Sequence, residues 1–348
     1  IMNRKRIVII CPGRGSYTRE TQGYLNEYKE PHIDKINYMD KQRLKAGLTS
    51  LTDLDTTIFK SNIHMKGENA STLIYASSLI DYHSIDQSKY KIVGIIGNSM
   101  GWYSTLAFSQ SLDYQSSYAL IDTMGSMMKD NIIGGQIIYS ITDDNWKINN
   151  DLKEKCQNEI NKVGAQISIY LGGYLVIGAE QTVLNKLLKI LPKNGKYPFQ
   201  LPFHAAFHTS LLESISQKAK SAFSSDIFFK PKIPIIDGRG HIWSPWSTNE
   251  IDLYNYTLGH QVYKPFNFTK TLTVAMKELS PDNIVLLGPG NTLGGVIGQI
   301  ICQIKWKNIL SKDDFVKRQK ENPFLISMGI PNQREIISQC YENPIISS

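Results

Sequence analysis

Ser99 is the residue of this chain whose surroundings most favour chemistry. It lies in Gly97-Asn98-Ser99-Met100-Gly101, directly after the apolar run Ile92-Val93-Gly94-Ile95-Ile96. A buried strand that ends in Gly-x-Ser-x-Gly and passes into a helix is a nucleophile elbow. Its two glycines permit a turn so tight that the serine hydroxyl stands above the sheet. A helix starting there aims free backbone N–H groups at the same point, which suits an oxyanion. Trp102, Tyr103, Leu106, Ala107 and Phe108 keep an apolar face at helical spacing, so the strand-turn-helix context is present. The plainer alternative is a glycine-rich turn whose serine is merely small.

A nucleophilic serine needs a base. Seven histidines are available: His32, His64, His83, His204, His208, His241 and His260. His204 and His208 fall in Leu201-Pro202-Phe203-His204-Ala205-Ala206-Phe207-His208-Thr209-Ser210, an apolar stretch where neutral imidazoles need a reason to exist. A lone histidine is more often structural than catalytic. An elbow serine awaiting a partner shifts that balance.

The elements around these residues read as α/β. Residues 6–11 form a first strand that runs into the loop Pro12-Gly13-Arg14-Gly15-Ser16, and a helix over 71–85 precedes the elbow strand. Helices are expected over 103–109 and 116–129. From Gly134 the order becomes strand (136–141), helix (151–163), two strands joined at Gly172-Gly173, helix (182–191) and strand (197–203). That βαββαβ order is the ferredoxin-like split unit. After 204 the α/β texture resumes, with strands at 234–236 and 284–287 and a helix over 293–305. The last forty residues are polar and proline-interrupted, an expected irregular tail.

A chain of 348 residues accommodates one large α/β unit with a smaller one inserted. With 41% hydrophobic and 20% charged residues it has the composition of a soluble globular protein. No apolar run reaches the roughly 18–20 residues of a membrane span, and the run after the basic start is too short for a signal sequence. Four scattered cysteines, Cys11, Cys156, Cys302 and Cys340, show neither metal-ligand spacing nor disulfide density. A reducing cytoplasm and no metal are therefore expected. The formal charge of +7 favours an acidic partner, while the lack of finger, RNP-like or long basic motifs argues against nucleic acid.

Several ordered motifs resemble the acyl-CoA:acyl carrier protein acyltransferases, typified by malonyl-CoA:acyl carrier protein transacylase and the acyltransferase domains of polyketide synthases. Cys11-Pro12-Gly13-Arg14-Gly15-Ser16 is similar to the family's F-P-G-Q-G-S loop, and Gly97–Gly101 to its G-H-S-L-G. Ala206-Phe207-His208-Thr209 is similar to the A-F-H-S segment that carries the family's histidine. Gln261-Val262-Tyr263-Lys264-Pro265 resembles the stretch whose glutamine carbonyl orients that histidine, and Leu287-Gly288-Pro289-Gly290 its late G-P-G. The resemblance covers about residues 6–303. It implies Ser99 as nucleophile and His208, in preference to His204, as base. It implies the backbone N–H groups of Arg14 and Met100 as oxyanion hole and the carbonyl of Gln261 as the histidine's anchor. No cofactor is held. Coenzyme A thioester is substrate, an acyl carrier protein with its phosphopantetheine arm is partner, and the positive charge suits both.

The departures are informative. Malonyl-specific members carry a carboxylate-gripping arginine twenty-five residues beyond the nucleophile, where this chain has Met124, followed by the retained glycine Gly125. Methionine cannot pair with a carboxylate, and an unpaired buried carboxylate is costly, so a neutral acyl group such as acetyl is expected. Arg14 replaces the loop glutamine. Its side chain reaches the acyl pocket from another wall, a coenzyme A phosphate, or solvent. Asn98 and Trp102 replace a histidine and a glutamate. With Met124 and Phe207 they are expected to shape the acyl pocket, although a plain core role suits Trp102 equally.

The expected architecture is an α/β-hydrolase-like large subdomain (1–131 and 204–303), a ferredoxin-like small subdomain (132–203), and an extension (304–348), with the site in the cleft. The expected activity is transfer of an acyl group from coenzyme A through Ser99 to a carrier protein in fatty acid or polyketide synthesis. Two rivals remain: an acyl hydrolase on the same scaffold, and a serine esterase. The latter expects its histidine late in the chain, whereas 140 residues follow His208.

Overall fold

Ile7, Val8, Ile9, Ile10 and Cys11 are all fully buried, which only a strand covered on both faces can achieve. The computed structural model describes residues 4–339. In chain order its strands are β1 (Lys5–Cys11), β2 (Tyr90–Gly97), β3 (Gly135–Ser140), β4 (Gln166–Leu171), β5 (Tyr174–Ala179), β6 (Phe199–Gln200), β7 (Ile235–Ile236), β8 (Ile242–Trp243), β9 (Phe266–Asn267), β10 (Asn283–Leu286) and β11 (Leu325–Ser327). The larger sheet has the order β11-β10-β1-β2-β7-β8 and is parallel except at β8. Alternation along β1 divides the core. Ile7, Ile9 and Cys11 face the helix Gly67–Ser84, while Val8 and Ile10 face the helices Phe268–Leu279 and Gly294–Gln303.

The smaller sheet has the order β6-β3-β5-β4-β9. Its first four strands have the neighbour order of the split unit, and the helices Asn150–Val163 and Gln181–Ile190 bury Cys156, Ile160, Leu184 and Leu187 against them. Two details differ from the sequence reading. The strand expected over 197–203 pairs only at Phe199–Gln200. The sheet also does not end with the insert, because β9 joins β4 in parallel, with Phe266 fully buried. This pairing ties the insert to the large subdomain.

The irregular tail is corrected more strongly. The helix Lys312–Glu321 opens on a capping box at Ser311, β11 extends the larger sheet beside β10, and the helix Pro331–Ile337 packs back through buried Ile337. The polar texture hid a three-residue apolar strand, Leu325–Ser327, that covers the sheet edge. Cys340 lies outside the described residues; Cys11, Cys156 and Cys302 are free and buried. Among the described residues no helix is long and apolar enough to cross a membrane.

Candidate active site

The turn at Ser99 is enforced from three sides. Strand β2 ends at Gly97 and the helix Gly101–Phe108 begins two residues beyond Ser99, whose φ is 54°. A non-glycine residue holds that left-handed backbone only when its surroundings impose it. A Cβ at Gly97 would lie 2.2 Å from the Gly101 carbonyl, and one at Gly101 2.2 Å from the Cys11 oxygen. The loop after β1 presses on the same turn, since a Cβ at Gly13 would lie 2.5 Å from the Asn98 oxygen.

The imidazole of His208 meets Ser99 across the cleft. Ser99 Oγ is 2.8 Å from His208 Nε2, and His208 Nδ1 is 2.8 Å from the carbonyl oxygen of Gln261. A carbonyl only accepts, so Nδ1 carries the proton and Nε2 is left to accept the serine hydroxyl. The carbonyl is free for a local reason. Four residues after Gln261 stands Pro265, which has no N–H to take it in a helical bond. His208 itself has φ 58°, held by its N–H to the Val262 oxygen at 3.1 Å and by the Phe266 ring at 5.5 Å. Burial pushes its pKa down to about 4 against the opposing pull of the Gln261 bond, so the imidazole is neutral near pH 7.

The Gln261 side chain completes the frame. Its Nε2 donates to the backbone oxygen of Ser99 at 2.9 Å, and its Oε1 accepts from the Tyr256 hydroxyl at 3.0 Å. Tyr256 is itself fixed by the Gly238 N–H at 2.9 Å and opens a π-helical turn, Tyr256–His260, that leads into Gln261.

Beside Ser99 lies a cavity of about 60 Å³, lined by Arg14, Met100, Met124, Phe207, His208 and Gln261 among others. Met100 is the N-cap of the helix Gly101–Phe108, and the next two N–H groups, of Gly101 and Trp102, bond the Asn98 and Ser99 oxygens at 2.8 and 3.0 Å. Met124 is set in the wall by a backbone contact next to it: a Cβ at Gly125 would lie 2.7 Å from the Gly67 oxygen. Arg14 Nη2 donates to the Met65 and Phe203 oxygens at 2.7 and 2.8 Å, and the guanidinium lies 5.5 Å from the centre of the Phe207 ring.

Three residues sit elsewhere than the sequence suggested or allowed. Trp102 does not reach the acyl pocket. It is fully buried, donates its indole N–H to Thr257 at 3.1 Å and meets Tyr256 edge-on, because its place on the helix turns it into the core. Asn98 does not line the cavity either, being buried where the Gly13 loop crosses the elbow. His204, the competing base, has its Nδ1 3.0 Å from Gln136 Oε1. Gln136 also donates to Ser168, which donates to the Phe207 oxygen at 2.6 Å, so that network braces the backbone just before His208. Tyr256 and the Gln261 side chain were missed in the sequence, where no local pattern marks either.

The fold is that of the acyl carrier protein malonyltransferases. The Synechocystis malonyl-CoA:ACP transacylase superposes with TM-score 0.74 at 15% identity, over 96% of this chain and all (100%) of that one. A type II polyketide synthase acyl carrier protein in complex with its malonyl-transacylase gives TM-score 0.71 at 15% identity, over 95% and 98%. Among curated proteins, the polyketide biosynthesis malonyl CoA-acyl carrier protein transacylase PksC of Bacillus subtilis is 22% identical over 301 residues, 84% of this chain and 96% of the relative. The malonyl CoA-acyl carrier protein transacylase of Staphylococcus aureus is 22% identical over 230 residues, 65% and 72%. No family model matches the chain. The resemblance read from the motifs is borne out by these relatives.

Proposed function

We propose that the chain is an acyl-CoA:acyl carrier protein S-acyltransferase working through an acyl-Ser99 intermediate, in fatty acid or polyketide synthesis. The observation that carries this is the 2.8 Å contact between Ser99 Oγ and His208 Nε2, with the opposite ring nitrogen anchored on Gln261. As Oγ attacks the thioester carbonyl, Nε2 takes its proton, and the backbone N–H groups of Met100 and Arg14 receive the oxyanion. Collapse breaks the C–S bond, and the coenzyme A thiolate takes the proton from His208. The phosphopantetheine thiol of the carrier then gives its proton to His208 and attacks the ester, and Ser99 recovers its proton as the acyl group leaves. A carbonyl replaces the carboxylate of a Ser-His-Asp triad: it orients the ring without adding charge.

A cavity of about 60 Å³ beside Ser99 supports a short acyl group. Met124 taken alone suits an uncharged acyl such as acetyl. The names of the relatives favour malonyl.

Intact-mass measurement after mixing with malonyl-, acetyl- and longer acyl-CoAs tests the reading. A single adduct lost in Ser99→Ala and chased onto holo-carrier protein is expected. No adduct would overturn the reading, and an adduct that water clears as fast as carrier would favour the hydrolase.

A further inference from the structure

We propose that a second binding site, remote from Ser99, takes an aliphatic chain ending in a carboxylate: a free medium- or long-chain fatty acid. This site goes beyond the acyl-Ser99 reading and stands or falls without it.

The site is an open cavity of about 560 Å³, inside the roughly 300–1,000 Å³ typical of small-molecule sites. Its floor is Tyr75, Leu79, Tyr82, Phe108 and Leu112, with half-exposed Phe229 at the edge. None of the residues lining it borders the cavity beside Ser99. The two cavities sit at opposite ends of shared helices. The helix Gly67–Ser84 starts against Gly125 in the cleft wall and contributes its far half here, while the helix Gly101–Phe108 starts at the elbow and ends here. The wall is held in place by the backbone. Phe229 and Lys232 donate their N–H groups to the Ser111 and Ser109 oxygens at 2.9 and 2.8 Å, and Gln110 between those two serines holds a left-handed φ of 60°.

Charge selects the head of the occupant. Tyr82 donates to the Phe108 oxygen at 3.1 Å, Tyr114 donates to the Lys35 oxygen at 2.6 Å, and the Asp113 carboxylate accepts from the Ser116 N–H at 2.7 Å. These polar groups of the wall are therefore spent within the protein. Lys35, Lys230 and Lys232 line the same cavity, and among the described residues none of them makes an ion pair. Burial pushes the His83 pKa down to about 4, so that ring adds no charge at pH 7. Three ammonium groups thus face one carboxylate already engaged at a helix start, a balance that an anionic head completes. Ring geometry selects the body. Phe108 stacks on Tyr82 at 4.6 Å and on Tyr75 at 6.0 Å, so these aromatic faces are spent on one another. The floor offers ring edges beside Leu79 and Leu112, which suit a flexible chain better than a flat ring.

The test is isothermal titration calorimetry of the full chain with laurate, kept below its micelle concentration. One laurate per chain is expected. Octanoate should bind more than tenfold more weakly, since each buried methylene is worth up to about fourfold in affinity. The triple variant Lys35→Gln, Lys230→Gln, Lys232→Gln is expected to weaken laurate about tenfold, the worth of three exposed charge contacts, with its melting temperature little changed. Ala107→Trp, which fills the cavity from the helix Gly101–Phe108, should abolish binding. Lauryl alcohol, with the same chain and no charge, should bind the wild type about as weakly as laurate binds the triple variant. No laurate binding to the wild type, full retention of binding in the triple variant, or lauryl alcohol binding as tightly as laurate would each overturn the assignment. None of these outcomes bears on acylation of Ser99, which the labelling experiment above decides separately.

Discussion

Gln261 holds Ser99 from behind: its side-chain amide donates to the Ser99 backbone oxygen at 2.9 Å, while its own backbone oxygen takes the Nδ1 proton of His208. One residue thus sets the position of both partners, and the two contacts are separable. Gln261→Ala keeps the carbonyl and loses the tether. Acylation is expected to slow about 5–10-fold, the worth of one hydrogen bond of about 1 kcal/mol. Tyr256→Phe, which frees the amide that its hydroxyl orients, should have a smaller effect in the same direction. Pre-steady-state release of coenzyme A measures both. A loss in Gln261→Ala as large as that from deleting the imidazole would mean that the anchor itself had moved.

The two neighbouring histidines should separate cleanly. His208→Ala removes the only imidazole that, among the described residues, bonds Ser99 Oγ and is expected to cost about 10²–10⁴-fold in acylation. His204→Ala removes a brace to Gln136 and is expected to cost less than tenfold. The comparison is kcat/KM on one thioester, and equal losses would refute the assignment.

The pH dependence follows from burial. His208 is held down to about 4, so the acid limb of kcat/KM is expected near pH 4, well below the ordinary histidine value of about 6.5. The same shift affects stability. Below pH 6.5 the unfolded chain binds a proton that the folded site refuses, so stability falls as pH drops from about 6.5 to about 4. The slope is about 1.4 kcal/mol per pH unit for each such histidine. His204, lowered by burial and then by Arg14, adds to it. Urea denaturation of wild type and His208→Gln at pH 7, 6 and 5 checks the sign. The variant should show the shallower fall.

What the sequence disclosed was local. The elbow announced itself because Gly97 and Gly101 are demanded within five residues, whereas the anchoring carbonyl of Gln261 entered only through the resemblance of Gln261–Pro265 to the family's stretch. The split unit was legible from its alternation of strand and helix. What stayed hidden depends on partners distant in the chain. Trp102 carries no mark of which way its helix will turn it, and only Thr257 and Tyr256 explain its burial. β9 has two residues, and its meaning lies in β4, nearly a hundred positions earlier. Asp81 reads as one polar residue on a helix, and Arg334 as one cation in a polar tail.

Those last two meet in the interior. Arg334 Nη1 pairs with Asp81 Oδ1, and both side chains are almost wholly out of water. Burial alone raises the Asp81 pKa, and the Arg334 charge opposes that rise. Asp81 Oδ2 also accepts from the Gly288 N–H at 2.6 Å and from the Tyr24 hydroxyl at 2.7 Å, so the pair joins the last helix to the end of β10. Arg334→Met strands a buried carboxylate and is expected to cost about 3–5 kcal/mol, read as a lowered urea midpoint. Adding Asp81→Asn removes the stranded charge yet keeps an acceptor for Gly288 and Tyr24. The double variant should therefore recover most of the loss, since a neutral buried group replaces an uncompensated one. If the double variant is no better than Arg334→Met, the cost lies in the packing of the last helix rather than in the charge. If Arg334→Met is as stable as wild type, the buried pair does not hold the tail to the sheet.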